Sequence, residues 1–94
     1  MKKRSWVDIS INILESAETS VSKTRLMYRS NMNFGRFNPY FEDFLQKGLL
    51  KETHNNGNGT AYLISNQGKV LLTALKNAER LFHESQAPIK ARDR

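Results

Sequence analysis

The side chains best suited to recognition chemistry lie in one short stretch, NFGRFN, at residues 33–38. Arg36, Asn33 and Asn38 carry planar hydrogen-bonding groups. Such groups can form two hydrogen bonds at once with the edge of a nucleic-acid base: arginine with guanine, and asparagine with adenine. Gly35 has no side chain and would let the backbone approach a phosphate closely. The stretch therefore predicts a surface that binds a polar ligand rather than one that performs catalysis.

No pattern in the chain predicts an enzyme or a metal centre. There is no cysteine, which excludes disulfides, thiolate ligands and thiol nucleophiles. His54 and His83 lie far apart, without carboxylates at metal-ligand spacing. The GNGT run at 57–60 joins two predicted strands, whereas a phosphate loop must lead into a helix. We therefore expect no enzymatic activity, no metal, no cofactor and no small-molecule ligand.

Composition favours a polyanionic partner. The 94 residues, enough for one domain, include 15 Lys and Arg against 9 Asp and Glu, a net charge of +6. Nucleic acid is the simplest such partner, and a solvated basic surface is the alternative. Asp8, Ser10 and Asn12 interrupt the apolar residues near the N-terminus, so we expect neither a signal peptide nor a membrane span. The expected location is the cytoplasm.

The first helix is predicted from Ser5 to Glu18, with Ser5 as its N-cap. Four apolar residues at helical spacing predict one buried stripe: Ile9, Ile13, Leu14 and Ala17. Trp6 is expected to pack over the start of this stripe. The following TSV, residues 19–21, predicts a connector or a single strand rung.

Two further helices are predicted around the NFGRFN stretch. Ser22 caps the second, 23–31, in which Leu26, Met27 and Tyr28 are candidates for the core. Asn31 is suited to end it in a left-handed conformation. The third helix runs from Asn33 to about Lys47, with Phe37, Phe41, Phe44 and Leu45 at helical spacing and Gly48 as its stop.

Pro39 conflicts with a regular third helix. A proline inside a helix removes one backbone hydrogen bond and crowds the preceding turn. Two outcomes are open: a helix that restarts at Asn38–Pro39 after a loose first turn, or a continuous helix with a kink.

The second half of the chain predicts a hairpin and a long helix. LLKETH and TAYLIS flank NNGNG, a strong hairpin turn. Ser65 then caps a last helix over 66–85. Its apolar residues form a coiled-coil-like seam: Leu71, Leu75, Ala78 and Phe82. Residues 1–4 are expected to form a basic arm and residues 86–94 a disordered basic tail.

Three helices, a two-stranded hairpin and a long C-terminal helix predict an α+β fold of the winged helix-turn-helix type over residues 5–85. In that arrangement helices 2 and 3 form the helix-turn-helix, helix 3 enters the DNA major groove, and the hairpin is the wing. A generic α+β domain could share the element order.

Three runs carry a resemblance to a known family: KTRLMYRSN at 23–31, KGLL at 47–50 and AYLISNQGKVLL at 61–72. They resemble the small archaeal winged-helix regulators, over roughly residues 4–85. The resemblance implies a double-stranded DNA-binding protein that forms a homodimer through its last helix, with some relatives acting as regulators and others as architectural proteins. The chain departs from the family pattern at Asn33, Gly35, Arg36, Asn38 and Pro39.

Under this interpretation the candidate DNA contacts fall into four groups. Lys23, Thr24 and Arg25 at the start of helix 2 would meet phosphates, whereas Arg29 is expected to pair with a nearby acid. The recognition helix, about 33–47, would contribute Asn33, Phe34, Gly35, Arg36 and Asn38. Lys3 and Arg4 of the arm would follow phosphates or enter the minor groove. His54 and Asn56 would represent the wing, which lacks lysine and arginine.

Each candidate also has a purely structural interpretation. Arg36 could be a solvated arginine, Asn33 and Asn38 helix caps, and the wing an ordinary turn. For Phe34 and Tyr40, packing is favoured over base stacking. The helical seam could pack against helix 1 in a monomer.

Three functional hypotheses therefore stand. The chain could be a sequence-specific dimeric transcription regulator, an architectural DNA-binding protein of weak selectivity, or a protein-interaction module without DNA binding. The uncharged wing and Pro39 favour the last hypothesis slightly.

Overall fold

The computed structural model describes residues 5–54 and 59–84. The elements are α1 (Trp6–Ser16), α2 (Lys23–Arg29), α3 (Phe34–Gln46), β1 (Leu50–His54), β2 (Thr60–Ile64) and α4 (Asn66–Glu84). Their order confirms the predicted α+β fold of winged-helix type. Lys3, Arg4, Asn56 and the basic tail lie outside the described residues.

Local hydrogen bonds fix where the four described helices begin. A side-chain oxygen of the residue before each helix accepts a bond from a backbone N–H one turn later. The pairs are Ser5 with Asp8, Ser22 with Arg25, Asn33 with Arg36 and Ser65 with Gly68, at 2.9–3.2 Å. All four predicted caps are therefore confirmed.

The two predicted stop residues also behave as expected. Asn31 has a φ of 57° and Gly48 a φ of 74°. Both values lie in the left-handed region, which asparagine and glycine tolerate best. They end α2 and α3 and turn the chain toward the next element.

The core joins α1, α2 and α3 to the hairpin. The predicted α1 stripe is fully buried, together with Leu26, Phe37, Phe41, Phe44, Leu50 and Ile64. The Phe37 and Phe41 rings stack with centroids 5.4 Å apart. The Tyr62 ring meets Phe41 edge-on at 4.8 Å, which ties the hairpin to α3.

The connector between α1 and α2 adds a one-residue bridge to the hairpin. Strands β1 and β2 pair antiparallel, with Leu50 opposite Ile64. Val21 forms an isolated bridge with Tyr62 through two backbone hydrogen bonds of 3.0 and 2.7 Å. The predicted single rung at residues 19–21 is therefore confirmed, and it ties the sheet to the helical layer.

The start of α4 packs closely against the α3–β1 junction. The Ser65 hydroxyl donates to the Gly48 carbonyl, and the Ser65 N–H donates to the Leu49 carbonyl at 3.0 Å. A Cβ atom at Gly68 would collide with the Leu49 carbonyl oxygen and lie 2.7 Å from Ile64 Cγ1. Only glycine fits this crossing. Further along, α4 packs against α1.

Two predictions about single residues are wrong. Trp6 does not cover the α1 stripe, because its side chain is 59% exposed. Tyr28 does not face the core and is 72% exposed. Of the two outcomes left open at Pro39, the structure shows the continuous helix: α3 is one α-helix from Phe34 to Gln46. Among the described residues, no helix has the length and apolar character to cross a membrane.

Candidate nucleic-acid interface

Helix α3 buries one side and exposes the other. Its buried residues are Phe37, Phe41 and Phe44. At about 100° per residue, the opposite side of the helix is formed by Gly35, Pro39, Glu42 and Gln46, and all four are exposed. Phe34 and Asn38 border this exposed side along one edge, and Arg36 borders it along the other.

Asn33 performs the capping role that the sequence allowed. Its Oδ1 atom accepts a 2.9 Å bond from the Arg36 N–H. The residue remains exposed. Capping is thus confirmed for Asn33, while its interpretation as a base contact stays a prediction.

Arg36, like Arg25 on α2, has no hydrogen-bond or ion-pair partner for its guanidinium among the described residues. By contrast, Lys47 forms an ion pair with Asp43 at 2.6 Å. Arg29 donates to the Ser16 carbonyl oxygen at 3.2 Å and to Thr19 Oγ1 at 3.3 Å. The expected pairing of Arg29 with an acid is therefore wrong, because two neutral oxygens of the α1–α2 connection hold it.

Lys23 connects the first residues of α2 to α3. Its Nζ atom lies 5.3 Å from the centroid of the Phe34 ring and 4.8 Å from that of the Phe41 ring. It also lies 3.9 Å from the Glu42 carboxylate. A cation over an aromatic face is attracted by the ring quadrupole. The Lys23 ammonium group is therefore partly engaged by contacts within the chain, whereas Thr24 and Arg25 beside it are exposed.

Phe34 and Tyr40 have different environments, although packing was expected for both. Tyr40 is half-buried, and its ring meets Phe44 edge-on at 6.2 Å. The packing interpretation is confirmed for Tyr40. Phe34 is 58% exposed and is not part of the core, so core packing does not account for it, and its interpretation as a DNA contact stays a prediction. The spacing of the phenylalanines predicted the helix, but the position of Lys23 over Phe34 depends on tertiary structure.

Asn38 does not cap a helix, because α3 begins four residues earlier. It is half-buried, and its Oδ1 atom is buried without a hydrogen-bond partner in the described structure.

His54 is exposed at the end of β1. Of the α2 candidates, the structure brings Lys23 into contact with α3, and it leaves His54 on the hairpin.

Charge is distributed unevenly along the chain. Residues 23–47 contain five basic and two acidic residues, whereas residues 5–22 contain three acidic and no basic ones. Residues 1–4 and 85–94 together contain six basic residues and one acidic residue. The helix-turn-helix segment and the two chain ends therefore carry the positive charge, and α1 carries the negative charge.

The predicted seam on α4 divides into two parts. Leu75 is only 7% exposed and Leu71 is half-buried within the chain itself, which matches the alternative that the seam packs inside a monomer. Ala78 and Phe82 are exposed. They line a groove between α1 and α4. Val70 and Leu81 of the same helix are also exposed.

Comparison with known protein families gives one match that spans most of the chain. The model of a winged helix-turn-helix family matches residues 3–83. No curated protein sequence matches the chain closely enough to show a relationship.

Three solved structures share the fold at low sequence identity. A DNA-binding protein of Sulfolobus solfataricus, Sso10a-2, aligns with a TM-score of 0.77 at 20% identity, over 97% of this chain and 98% of its own. SSV1 F-93 aligns with a TM-score of 0.64 at 16% identity, over 88% and 96% of the two chains.

The third structure is a MarR family transcriptional regulator, SPO1453 of Silicibacter pomeroyi. It aligns with a TM-score of 0.61 at 18% identity, over 86% of this chain and 58% of its own. At such identities the likeness concerns the fold. With the family match over residues 3–83 and the observed order of helices and hairpin, it follows that this chain belongs to the winged helix-turn-helix family.

Proposed function

We propose that the protein is a homodimeric transcription regulator that binds specific sequences of double-stranded DNA, with α3 in the major groove. The observation that carries the proposal is the first turn of α3. It is the exposed end of a helix whose middle is buried, and its arginine has no partner in the described structure. In helix-turn-helix proteins, this end of the recognition helix contacts base edges.

The shape of α3 supports insertion into a groove. A helix with side chains is about 10–12 Å across, and the major groove is about 12 Å wide. Gly35 and Pro39 have no long side chain, so little protrudes from the outward side of the first two turns of α3. A Cβ at Gly35 would meet only Asn33 Oδ1, at 3.6 Å. This side is therefore open to a partner instead of being filled by the chain itself.

Charge supports a polyanionic partner. Residues 23–47, which hold α2 and α3, include five basic and two acidic residues, and an excess of positive charge favours encounters with a polyanion. Thr24 and Arg25 are the exposed candidates for phosphate contacts on α2. Lys3 and Arg4 remain predicted contacts of the basic arm.

The exposed part of α4 supports a homodimer. Phe82 is 63% exposed, and Val70, Leu81 and Ala78 are exposed on the same helix. Leu81 and Phe82 are adjacent, and Ala78 lines the same groove as Phe82; exposed apolar residues placed together indicate an interaction site. A two-fold dimer would present two copies of α3 to two half-sites.

The solved relatives support the class of function. The Sulfolobus protein is described as DNA-binding, and the Silicibacter protein as a transcriptional regulator. Both align over at least 86% of this chain.

The test of DNA binding is fluorescence anisotropy with duplexes of unrelated sequence across a salt series. The logarithm of the affinity should fall linearly with the logarithm of salt concentration, by about 0.9 for each phosphate neutralised. Arg36→Ala should reduce discrimination among sequences by about tenfold, the worth of one bidentate base contact. Arg80→Ala is the matched control, because Arg80 is an exposed arginine of α4 whose partners are Asn77 and Glu84.

The outcomes separate the hypotheses. Equal affinity for all duplexes, unchanged by Arg36→Ala, would favour an architectural protein. No binding to any duplex at low salt would overturn the proposal and favour a protein-interaction module.

The dimer is tested separately by light scattering. Phe82→Glu should shift the protein from dimer to monomer, because it places a charge in the proposed apolar contact. Tyr28→Glu should leave the dimer intact, since it changes an exposed aromatic of α2 instead. A wild-type protein that is monomeric at tens of micromolar would refute the dimer.

A further inference from the structure

We propose that Phe34 reads the methyl group of thymine in the major groove and that Lys23 holds its ring in position. The inference rests on the proposed function, and it names a specificity-determining residue within it. Arginine and asparagine read bases through hydrogen bonds, whereas Phe34 would read an apolar group.

The exposure of Phe34 has no explanation within the chain. Three other phenylalanines of α3 are buried, at 0% for Phe37, 1% for Phe41 and 5% for Phe44. Phe34 is 58% exposed at the first residue of the same helix. Exposing an aromatic ring leaves about 2 kcal/mol of burial energy unused. A partner that covers this ring would recover part of that energy.

The ring is nevertheless held in place. Lys23 Nζ lies 5.3 Å from the Phe34 centroid. The same ammonium group lies 4.8 Å from the buried Phe41 ring and 3.9 Å from the Glu42 carboxylate. These contacts fix the cation against the second turn and middle of α3. One face of the Phe34 ring is thereby occupied, and the rest of the ring is available to a partner.

The surroundings of Phe34 suit a methyl group better than a hydrogen-bonding edge. Gly35 and Pro39 on the outward side of α3 bring no side-chain donor, and Asn38, which shares an edge of the helix with Phe34, is half-buried. The C5-methyl of thymine is the one apolar group that the four bases present in the major groove, and phenylalanine is among the side chains that contact it. Stacking is not required, because the bases of an intact duplex remain stacked on each other.

The experiment is a thymine-to-uracil scan. A duplex that binds the wild-type protein is selected from a random pool, and each thymine is then replaced singly by deoxyuridine, which lacks only the methyl group. At one position in each half-site, the replacement should weaken wild-type binding about fourfold to fivefold, as expected for one buried methyl group. Phe34→Ala should bind the thymine duplex less tightly and should be indifferent to the same replacement.

Further variants test the positions of the two side chains. Phe34→Leu keeps an apolar group and should retain part of the methyl preference. Lys23→Met keeps the length of the side chain but removes the cation, and it should lower the thymine-to-uracil ratio. Tyr28→Ala, which removes an exposed aromatic elsewhere, should leave the ratio unchanged. Circular dichroism checks that each variant is folded.

The outcomes distinguish the inference from the function beneath it. Failure of the wild type to bind any duplex would overturn both. Selective binding without sensitivity to any thymine replacement would overturn only the role of Phe34. The same holds if Phe34→Ala keeps the full sensitivity of the wild type, or if the selected sites contain no thymine in common.

Discussion

Two glycines, Gly35 and Gly68, mark regions of the molecule under opposite constraints. A side chain at Gly68 would collide with the backbone of Leu49 and with Ile64, where α4 crosses the end of α3. A side chain at Gly35 would meet only the Asn33 amide oxygen, at an ordinary distance of 3.6 Å. The first glycine is required by the fold, and the second is not.

The two ends of α3, near these glycines, differ in how closely they pack against the rest of the chain. The end of α3 is tied down by Gly48, by the Ser65 hydrogen bonds and by the buried Phe44. The beginning of α3 combines a glycine, an internal proline and an exposed phenylalanine, a sequence that a stable free-standing helix would avoid. The end of α3 is thus specified by packing within the chain, and packing within the chain does not account for Gly35, Pro39 and Phe34 at its beginning.

The largest effect is expected at the packed end. Gly68→Ala should lower the free energy of unfolding by about 3 kcal/mol, because the new methyl group has no space and its nearest neighbours are backbone atoms. Urea denaturation followed by circular dichroism measures the change. A loss below about 0.5 kcal/mol would show that the crossing of α4 over Leu49 is looser than the structure indicates.

Pro39 provides the next test, at the open end. Pro39→Ala should raise the free energy of unfolding by about 2 kcal/mol. The substitution restores a backbone bond to the Gly35 carbonyl, and this gain exceeds the flexibility added to the unfolded chain. If stability does not change, the helix has already adapted to the proline, and the contrast between the two ends of α3 weakens.

The elements that the sequence predicted well are those set by local chemistry. Ser5, Ser22, Asn33 and Ser65 cap helices because each has an oxygen within reach of the backbone one turn ahead. Gly48 ends α3 because the required backbone conformation is left-handed. Such interactions depend on neighbours within four residues, so the printed sequence contains all the information needed to identify them.

The features that were missed depend on residues distant in the chain. Trp6 and Tyr28 are exposed, although their positions along α1 and α2 predict contact with the core, because the core is filled by aliphatic residues and by the phenylalanines of α3. Leu75 was assigned to a dimer seam, but α4 is rotated so that this residue faces its own chain. The position of Lys23 over Phe34 joins residues on two helices, and no periodicity within either helix could indicate it.

Gly35→Ala should separate stability from function. In the free protein it should raise the free energy of unfolding by about 0.5 kcal/mol, because alanine is the better helix former and the site has room for it. If α3 enters the major groove, the added methyl group should instead weaken DNA binding by about tenfold, or about 1.4 kcal/mol.

Urea denaturation and anisotropy on the same preparation measure both quantities for Gly35→Ala. Gln46→Ala, on the same exposed side but near the end of α3, is the control and should change neither quantity by as much. Unchanged DNA affinity in Gly35→Ala would mean that the first turn does not approach the duplex closely.

The smallest effect concerns Tyr62, which packs against Phe41 in the middle of α3, at alkaline pH. Burial raises the pKa of the Tyr62 hydroxyl, and the negative charges of Glu52 and Glu42 raise this pKa further. The folded protein therefore holds its phenolic proton more tightly than the unfolded chain does. This contribution to stability is complete below the unfolded pKa of about 10 and is lost as the pH rises through the folded pKa.

Tyr62→Phe removes that titration and keeps the ring that packs edge-on against Phe41. Urea denaturation at pH 8 to 11 should show that the free energy of unfolding declines less steeply in the variant than in the wild type. Lys76, whose pKa is raised by its hydrogen bond to Glu15, titrates in both proteins and cancels in the comparison. Parallel declines would mean that water reaches the Tyr62 hydroxyl freely, and that the packing of Tyr62 against Phe41 does not bury the hydroxyl.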